Sequence, residues 1–424
     1  MNRKLLPLLL SGLGILIGAM VPVAAQDARA NKFVVLYNFK GGATDGEFPV
    51  GAPVFDSSGN IYGSTMVGGT NPKCIDTSGC GTIFQLAPQP GGGWKESILL
   101  DTLASDTNPA HGVIIDPAGN LYGTSGGSGP TMGGGPVGPT AAVFQASQSN
   151  GSWAISDLFE FNGSNQVYPN GLIRDASGNL YGTTTEGGTA NGGYAFEVSP
   201  VQGGGWNTYV LYNFGSQAGD GTGAGPLVLD SKGNLYGAAG QGGAFNHGAI
   251  FELIPLGGGA WQEVVIHSFD GSDGDFPWGG LAIDAAGNLY GTTIDGGPQG
   301  FGVLFELSQQ GDGTWMESIL WNFGVSNRGG YVPFNANGFP VLDAAGNIYG
   351  TTAAGGTARC INCGVVYQLS RPTTPGGAWR FTVLHSFESN QIPIQLTLDN
   401  AGNIYGFTTA GGTLNAGTVY KLTP

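Results

Sequence analysis

The sequence predicts an all-β fold, a seven-bladed β-propeller of four-stranded antiparallel blades. Three observations predict it. The octapeptide Asp-x-x-Gly-Asn-(Leu/Ile)-Tyr-Gly recurs at Asp56, Asp116, Asp175, Asp230, Asp284, Asp343 and Asp399, spaced 54 to 60 residues apart. A steady period of this kind marks one supersecondary unit stacked on copies of itself. The first six copies also carry four short apolar segments each, separated by glycine-rich turns, the signature of an antiparallel meander. Finally, the last copy stops after its third segment, Gly417 to Leu422, while Phe33 to Phe39 stands alone ahead of the first copy and matches Val210 to Phe214 of a fourth segment. The N-terminal strand is therefore expected to complete the last blade, hide its open edge and close a ring within the usual range of about 4–8 blades.

The fifth copy justifies the elements in order. Gly280 to Ile283 is the innermost strand, and Asp284 to Asn288 is the turn that follows it. Aspartate first and glycine fourth suit a type I turn followed by a left-handed residue. Leu289 to Ile294 forms the second strand, Gly296-Gly297 opens a loop, and Gly302 to Leu307 alternates as the third strand. A Gly-Asp-Gly turn then leads to Trp315, and Met316 to Phe323 is the fourth. Trp94, Trp153, Trp206, Trp261 and Trp379 open fourth strands in the same way.

This pattern resembles the GloVer (Gloeobacter/Verrucomicrobia-type) repeat proteins of exported bacterial chains. The resemblance rests on Asp284 to Thr293 and Asp343 to Thr352, the Gly-Gly loop, the third strand, and the Phe-x-Gly-Ser-Asp-Gly link at Phe269 to Gly274. It covers residues 32–424 and implies an exported repeat protein, with no agreed activity.

The N-terminus supports export. Arg3 and Lys4 precede an apolar run from Leu5 to Val21, and Val23-Ala24-Ala25 offers small residues for cleavage. The domain reading is a signal peptide at 1–25, a short segment at 26–31 and one propeller at 32–424. Losing the leader takes the formal charge from −15 to −17, with charged residues only 10% of the chain. So dilute and acidic a surface repels nucleic acid and anionic lipid. A monomer in the periplasm or outside the cell is expected.

All four cysteines fall in one loop position, Cys74 and Cys80 in the first copy and Cys360 and Cys363 in the sixth. In an exported chain this favours two local disulfides over a zinc site. Asp-Gly pairs at Asp45, Asp220 and Asp273 could touch calcium, but they lack the acidic ladder of a calcium loop. No cofactor or metal centre is assigned.

The links from fourth to first strand and the loops from second to third strand should share one rim, where length and chemistry vary. Long insertions fall there, Ser125 to Pro139 and Gly324 to Gly338. Glu186, Gln241 and Asp295 end the second strands of three consecutive copies, with Trp278 and His247 in adjacent loops. These five residues are the candidate binding site, suited to stacking on a sugar ring and hydrogen-bonding its hydroxyls. The expected role is a non-catalytic scaffold for carbohydrate or a surface protein. The alternative is a polysaccharide lyase or hydrolase using Glu186 and Asp295 as a carboxylate pair. Arg174, before a turn aspartate, is expected to face the channel or pair with an acid. His267 and His385 stand where fourth strands elsewhere carry Tyr37, Tyr212 and Trp321, and are expected only to pack.

Overall fold

The aspartate of the repeated octapeptide organises each blade from its inner turn outward. In the fifth copy, Asp284 Oδ1 accepts the backbone N–H of Ala286 and of Asn288, both at 2.9 Å. Its Oδ2 accepts Asn288 Nδ2 at 2.9 Å and the Tyr290 hydroxyl at 3.1 Å. The side chain thereby replaces backbone partners that a tight turn leaves unused. The same aspartate–tyrosine bond recurs in the other six copies, from Asp56–Tyr62 to Asp399–Tyr405.

The glycine after the tyrosine is required for a different reason. A Cβ on Gly291 would run into the ring tip of Phe305 on the third strand, and on Gly63 it would sit 2.6 Å from the tip of Phe84. The third-strand aromatic lies flat across the second-strand backbone, and only glycine leaves room for it.

The computed structural model describes residues 31–70, 80–101, 108–126, 141–161, 167–324, 339–355, 363–374, 376–388 and 390–424. These residues form seven separate antiparallel sheets. Blade 1 runs Gly46–Phe55, Ile61–Gly68, Thr82–Pro88 and Trp94–Leu100. Blade 4 runs Gly221–Ala224 with Val228–Leu229, then Leu235–Gly242, Ala249–Gly257 and Ala260–Ser268. Blade 5 runs Ala282–Ile283, Leu289–Thr292, Val303–Gln309 and Trp315–Asn322. The fold is the seven-bladed β-propeller that the sequence predicts. No helix among the described residues is long and apolar enough to cross a membrane.

Closure uses the N-terminal strand as expected. Lys32–Asn38 pairs antiparallel with Thr418–Thr423, with Phe33 opposite Leu422 and Asn38 opposite Thr418. Seven hydrophobic clusters fill the spaces between successive blades. One of them packs Ile61, Phe84 and Leu86 of blade 1 against Tyr405, Phe407 and Val419 of blade 7, which closes the ring. A lone sheet could not bury both faces, so the core lies between blades rather than within one.

Second-strand threonines also tie neighbouring blades. Thr183 Oγ1 donates to Gly225 O at 2.8 Å, and Thr351 Oγ1 to Ile394 O at 3.1 Å. The axial space beside the first strands of blades 5 to 7 is lined by Ile283, Val341, Leu342, Leu396, Thr397 and Leu398. This arc carries no charged side chain.

Candidate functional site

One rim carries a repeated seam between blades. An asparagine with positive φ sits in the loop between second and third strands, at Asn191, Asn246 and Asn415. The residue after it offers its carbonyl to the link that enters the next blade. Phe48 N donates to Ala416 O at 3.0 Å, Gly223 N to Gly192 O at 3.0 Å, and Phe276 N to His247 O at 3.1 Å. Phe48, Gly223 and Phe276 all have φ between 55° and 65°. This backbone is costly for phenylalanine and persists because the seam holds it.

Between blades 4 and 5 the seam gathers polar and aromatic side chains. His247 Nδ1 lies 3.0 Å from Asp275 Oδ2, with the two side chains 39% and 29% exposed. Asp275 pairs with Asp295 through two backbone hydrogen bonds of 2.8 and 3.0 Å. Burial, and then the charge of Asp275, push the Asp295 carboxyl above its ordinary range. The rings of Phe276 and Trp278 stack at 5.4 Å between centroids and 17° between planes, both half-buried. The Trp278 ring lies over Gly240, where a Cβ would approach to 3.1 Å, next to the exposed Gln241. A flat aromatic surface beside a histidine, two carboxylates and an amide can stack on a ligand ring and hydrogen-bond around it.

Of the five residues singled out from sequence, His247, Trp278 and Asp295 meet at this junction, and Gln241 flanks it. Glu186 lies on blade 3, exposed, where its charge raises the Tyr168 hydroxyl after burial has done so. No described contact joins Glu186 to Gln241 or Asp295. Asp275 and Phe276 escaped the sequence reading, because their importance comes from the seam rather than from a motif.

Other expectations resolve as follows. Cys80 and Cys363 are buried and neither is a free thiol. Cys74 and Cys360 lie outside the described residues, as do nearly all of the two long insertions. Arg174 makes no ion pair among the described residues; its guanidinium lies over Gly178, and its Nε is buried without a partner. Asp45 and Asp220 accept the hydroxyls of Tyr37 and Tyr212 at 2.8 and 2.9 Å, besides backbone amides. Both oxygens of Asp45 are thus engaged, whereas on Asp220 only Oδ2 is, and its Oδ1 is buried without a partner.

A second series runs along the fourth strands. The residue four places before the Tyr37-type position of one blade meets that position of the preceding blade. Trp321 stacks on Phe381 at 4.8 Å, and His385 on Phe33 at 3.7 Å and 2°. His385 packs, as the sequence suggested. Where this partner is a glutamate, an Asp-Gly link faces it. Burial followed by the charge of Asp45 pushes Glu96 up to about 7, and burial with Asp220 does the same for Glu263. Burial with Asp273 and Asp270 takes Glu317 to about 8.

Comparison with known proteins fits this architecture. No curated protein matches the chain. Among solved structures, a streptogramin B lyase superposes with a TM-score of 0.53 at 14% identity, covering 93% of this chain and 97% of that one. A polysaccharide lyase of the ulvan lyase type reaches 0.50 at 11% identity, covering 92% and 95%. A protein from Lactobacillus plantarum also reaches 0.50, at 14% identity over 80% and 84%. At such identities the likeness is one of fold. The family model of the Gloeobacter/Verrucomicrobia repeat matches residues 128–337 and 262–424. Together with the seven structural copies, this places the chain in the Gloeobacter/Verrucomicrobia repeat family.

Proposed function

We propose that this is an exported, monomeric, non-catalytic scaffold that binds carbohydrate on the rim between blades 4 and 5. The observation that carries the reading is the stacked Phe276–Trp278 pair, flanked by the His247–Asp275 pair, Asp295 and Gln241. A sugar presents one apolar face and a ring of hydroxyls, which is what an aromatic plate bordered by polar groups accepts. The seam fixes the backbone on both sides, so little ordering accompanies binding. Surface acidity disfavours phosphate-rich ligands and leaves neutral glycans as the better match.

The test is a glycan array probed with labelled protein, followed by titration of the best hit. Trp278→Ala should weaken binding by about 5–30-fold, the range for losing a central aromatic contact. Unchanged affinity in that variant removes the proposed site.

An enzyme reading is favoured by one observation, the raised Asp295 carboxyl beside Asp275, which suits a proton donor. It predicts reducing ends or unsaturated products from a polysaccharide panel, and their loss in Asp295→Asn or Glu186→Gln. Glycan binding without turnover supports the scaffold instead.

A further inference from the structure

We infer that His267, Asp273 and Glu317 form a divalent-metal site, with Zn²⁺ as its natural occupant, at the outer seam between blades 4 and 5. One ligand atom from each residue lies within 4.8 Å of the other two. His267 Nε2 stands 3.2 Å from Asp273 Oδ2, the two side chains being 19% and 22% exposed. Neither that nitrogen nor Glu317 Oε1 has a hydrogen-bond partner, although both atoms are buried. Two orphaned buried lone pairs converging on a carboxylate are costly unless something cationic satisfies them.

The two sister interfaces show why this position is different. At blades 7 and 1, Tyr37 donates its hydroxyl to Asp45 at 2.8 Å beside Glu96. At blades 3 and 4, Tyr212 donates to Asp220 at 2.9 Å beside Glu263. A tyrosine brings a proton to one oxygen of the aspartate. The glutamate oxygen is buried without a partner at all three interfaces, and at blades 4 and 5 His267 takes the tyrosine's place, so that one nitrogen and two carboxylates stand together as ligands. That donor set suits zinc, with three protein ligands leaving a fourth position for water.

The outer contacts fit ligand geometry. Asp273 Oδ1 is held by the Asp270 backbone N–H at 2.9 Å, which leaves Oδ2 for the metal. The link is itself fixed, by Gly271 N to Gly274 O at 3.1 Å and Gly297 N to Gly271 O at 3.0 Å. The same link continues into Asp275, Phe276 and Trp278, so an ion here would brace the rim's aromatic plate from behind. The metal site does not depend on that plate binding a glycan.

Full-length protein stripped with chelator and titrated with Zn²⁺ by calorimetry tests this. One equivalent should bind, and His267→Tyr should lose it, with affinity falling at least ~10-fold. That variant copies the two sister interfaces and is expected to fold. Glu263→Gln, at the tyrosine version of the trio, should leave the stoichiometry and affinity unchanged. A Co²⁺-loaded sample should show visible d–d absorption that vanishes in His267→Tyr. Absence of binding by folded wild-type protein, or equal binding by His267→Tyr, overturns the assignment.

Discussion

Asp284 shows how much of a blade one residue can organise. Four donors converge on its carboxylate. Burial would raise that carboxyl, but the hydrogen bonds from Asn288, Ala286 and Tyr290 outweigh it and hold it below the ordinary range. Removing the acceptor strips the Ala286 and Asn288 N–H groups and the Asn288 amide of their partner, while the Tyr290 hydroxyl keeps only Glu306 Oε1 at 2.9 Å. Asp284→Ala should therefore cost about 1–3 kcal/mol in urea unfolding. Gly291→Ala should cost a similar ~1–3 kcal/mol by forcing Phe305 aside, with the midpoint falling and the slope unchanged. The turn aspartate was legible in the sequence because Asp and Gly announce turn chemistry locally. The glycine's partner was not, since Phe305 lies on another strand and only pairing reveals it. His267 packs edge-on against Phe269 as the sequence suggested, but it also meets Asp273, which the sequence did not show for a related reason. Its substitution for tyrosine was visible, whereas the acid it faces, Glu317, belongs to the next blade and depends on register between sheets.

At the scale of the element, the fourth strands act as a ring of matched positions. Aromatic partners stack, and acidic partners face an Asp-Gly link. Glu96 and Glu263 are held near 7 in the folded protein against an ordinary 4.5, first by burial and then by Asp45 and Asp220. A carboxyl raised on folding keeps protons that the unfolded chain releases. Its contribution is full below about 4.5 and is lost as pH rises through about 7. Melting temperature should therefore fall between pH 5 and pH 8. In Glu96→Gln with Glu263→Gln the slope should flatten, by about 1 kcal/mol per site after allowance for solvent screening. An unchanged slope in the double variant would place those protons elsewhere. The strand order of each blade was readable from glycine turns and tryptophan positions. Strand ends were not: the innermost strand predicted as Gly280 to Ile283 pairs only over Ala282–Ile283. Of its first residues, Gly280 lies against Phe339 and Leu281 packs into the core between blades 4 and 5 rather than making ladder bonds.

For the whole molecule, the repeat supplies a nearly uniform ring, and function is expected where uniformity breaks. The junction of blades 4 and 5 breaks it three times: His247 stands where Ala416 and Gly192 stand elsewhere, His267 replaces tyrosine, and the link carries both Asp273 and Asp275. Departures from the repeat were visible along the chain, but not which of them face one another. Glu186, on blade 3, was grouped with Asp295 of blade 5 by repeat position alone, and its charge acts on Tyr168 instead.

All of this depends on a ring sealed by strands from both ends of the chain. Native-state hydrogen exchange followed by mass spectrometry reads that seal directly. The amides of Thr418–Thr423 should exchange as slowly as those of Val303–Gln309 inside blade 5, and those of Lys32–Asn38 as slowly as those of Trp315–Asn322, because each pair of strands holds the same place in its sheet. Fast exchange across Lys32–Asn38, with Thr418–Thr423 behaving as an unpaired edge, would contradict the closed propeller and the rim built upon it.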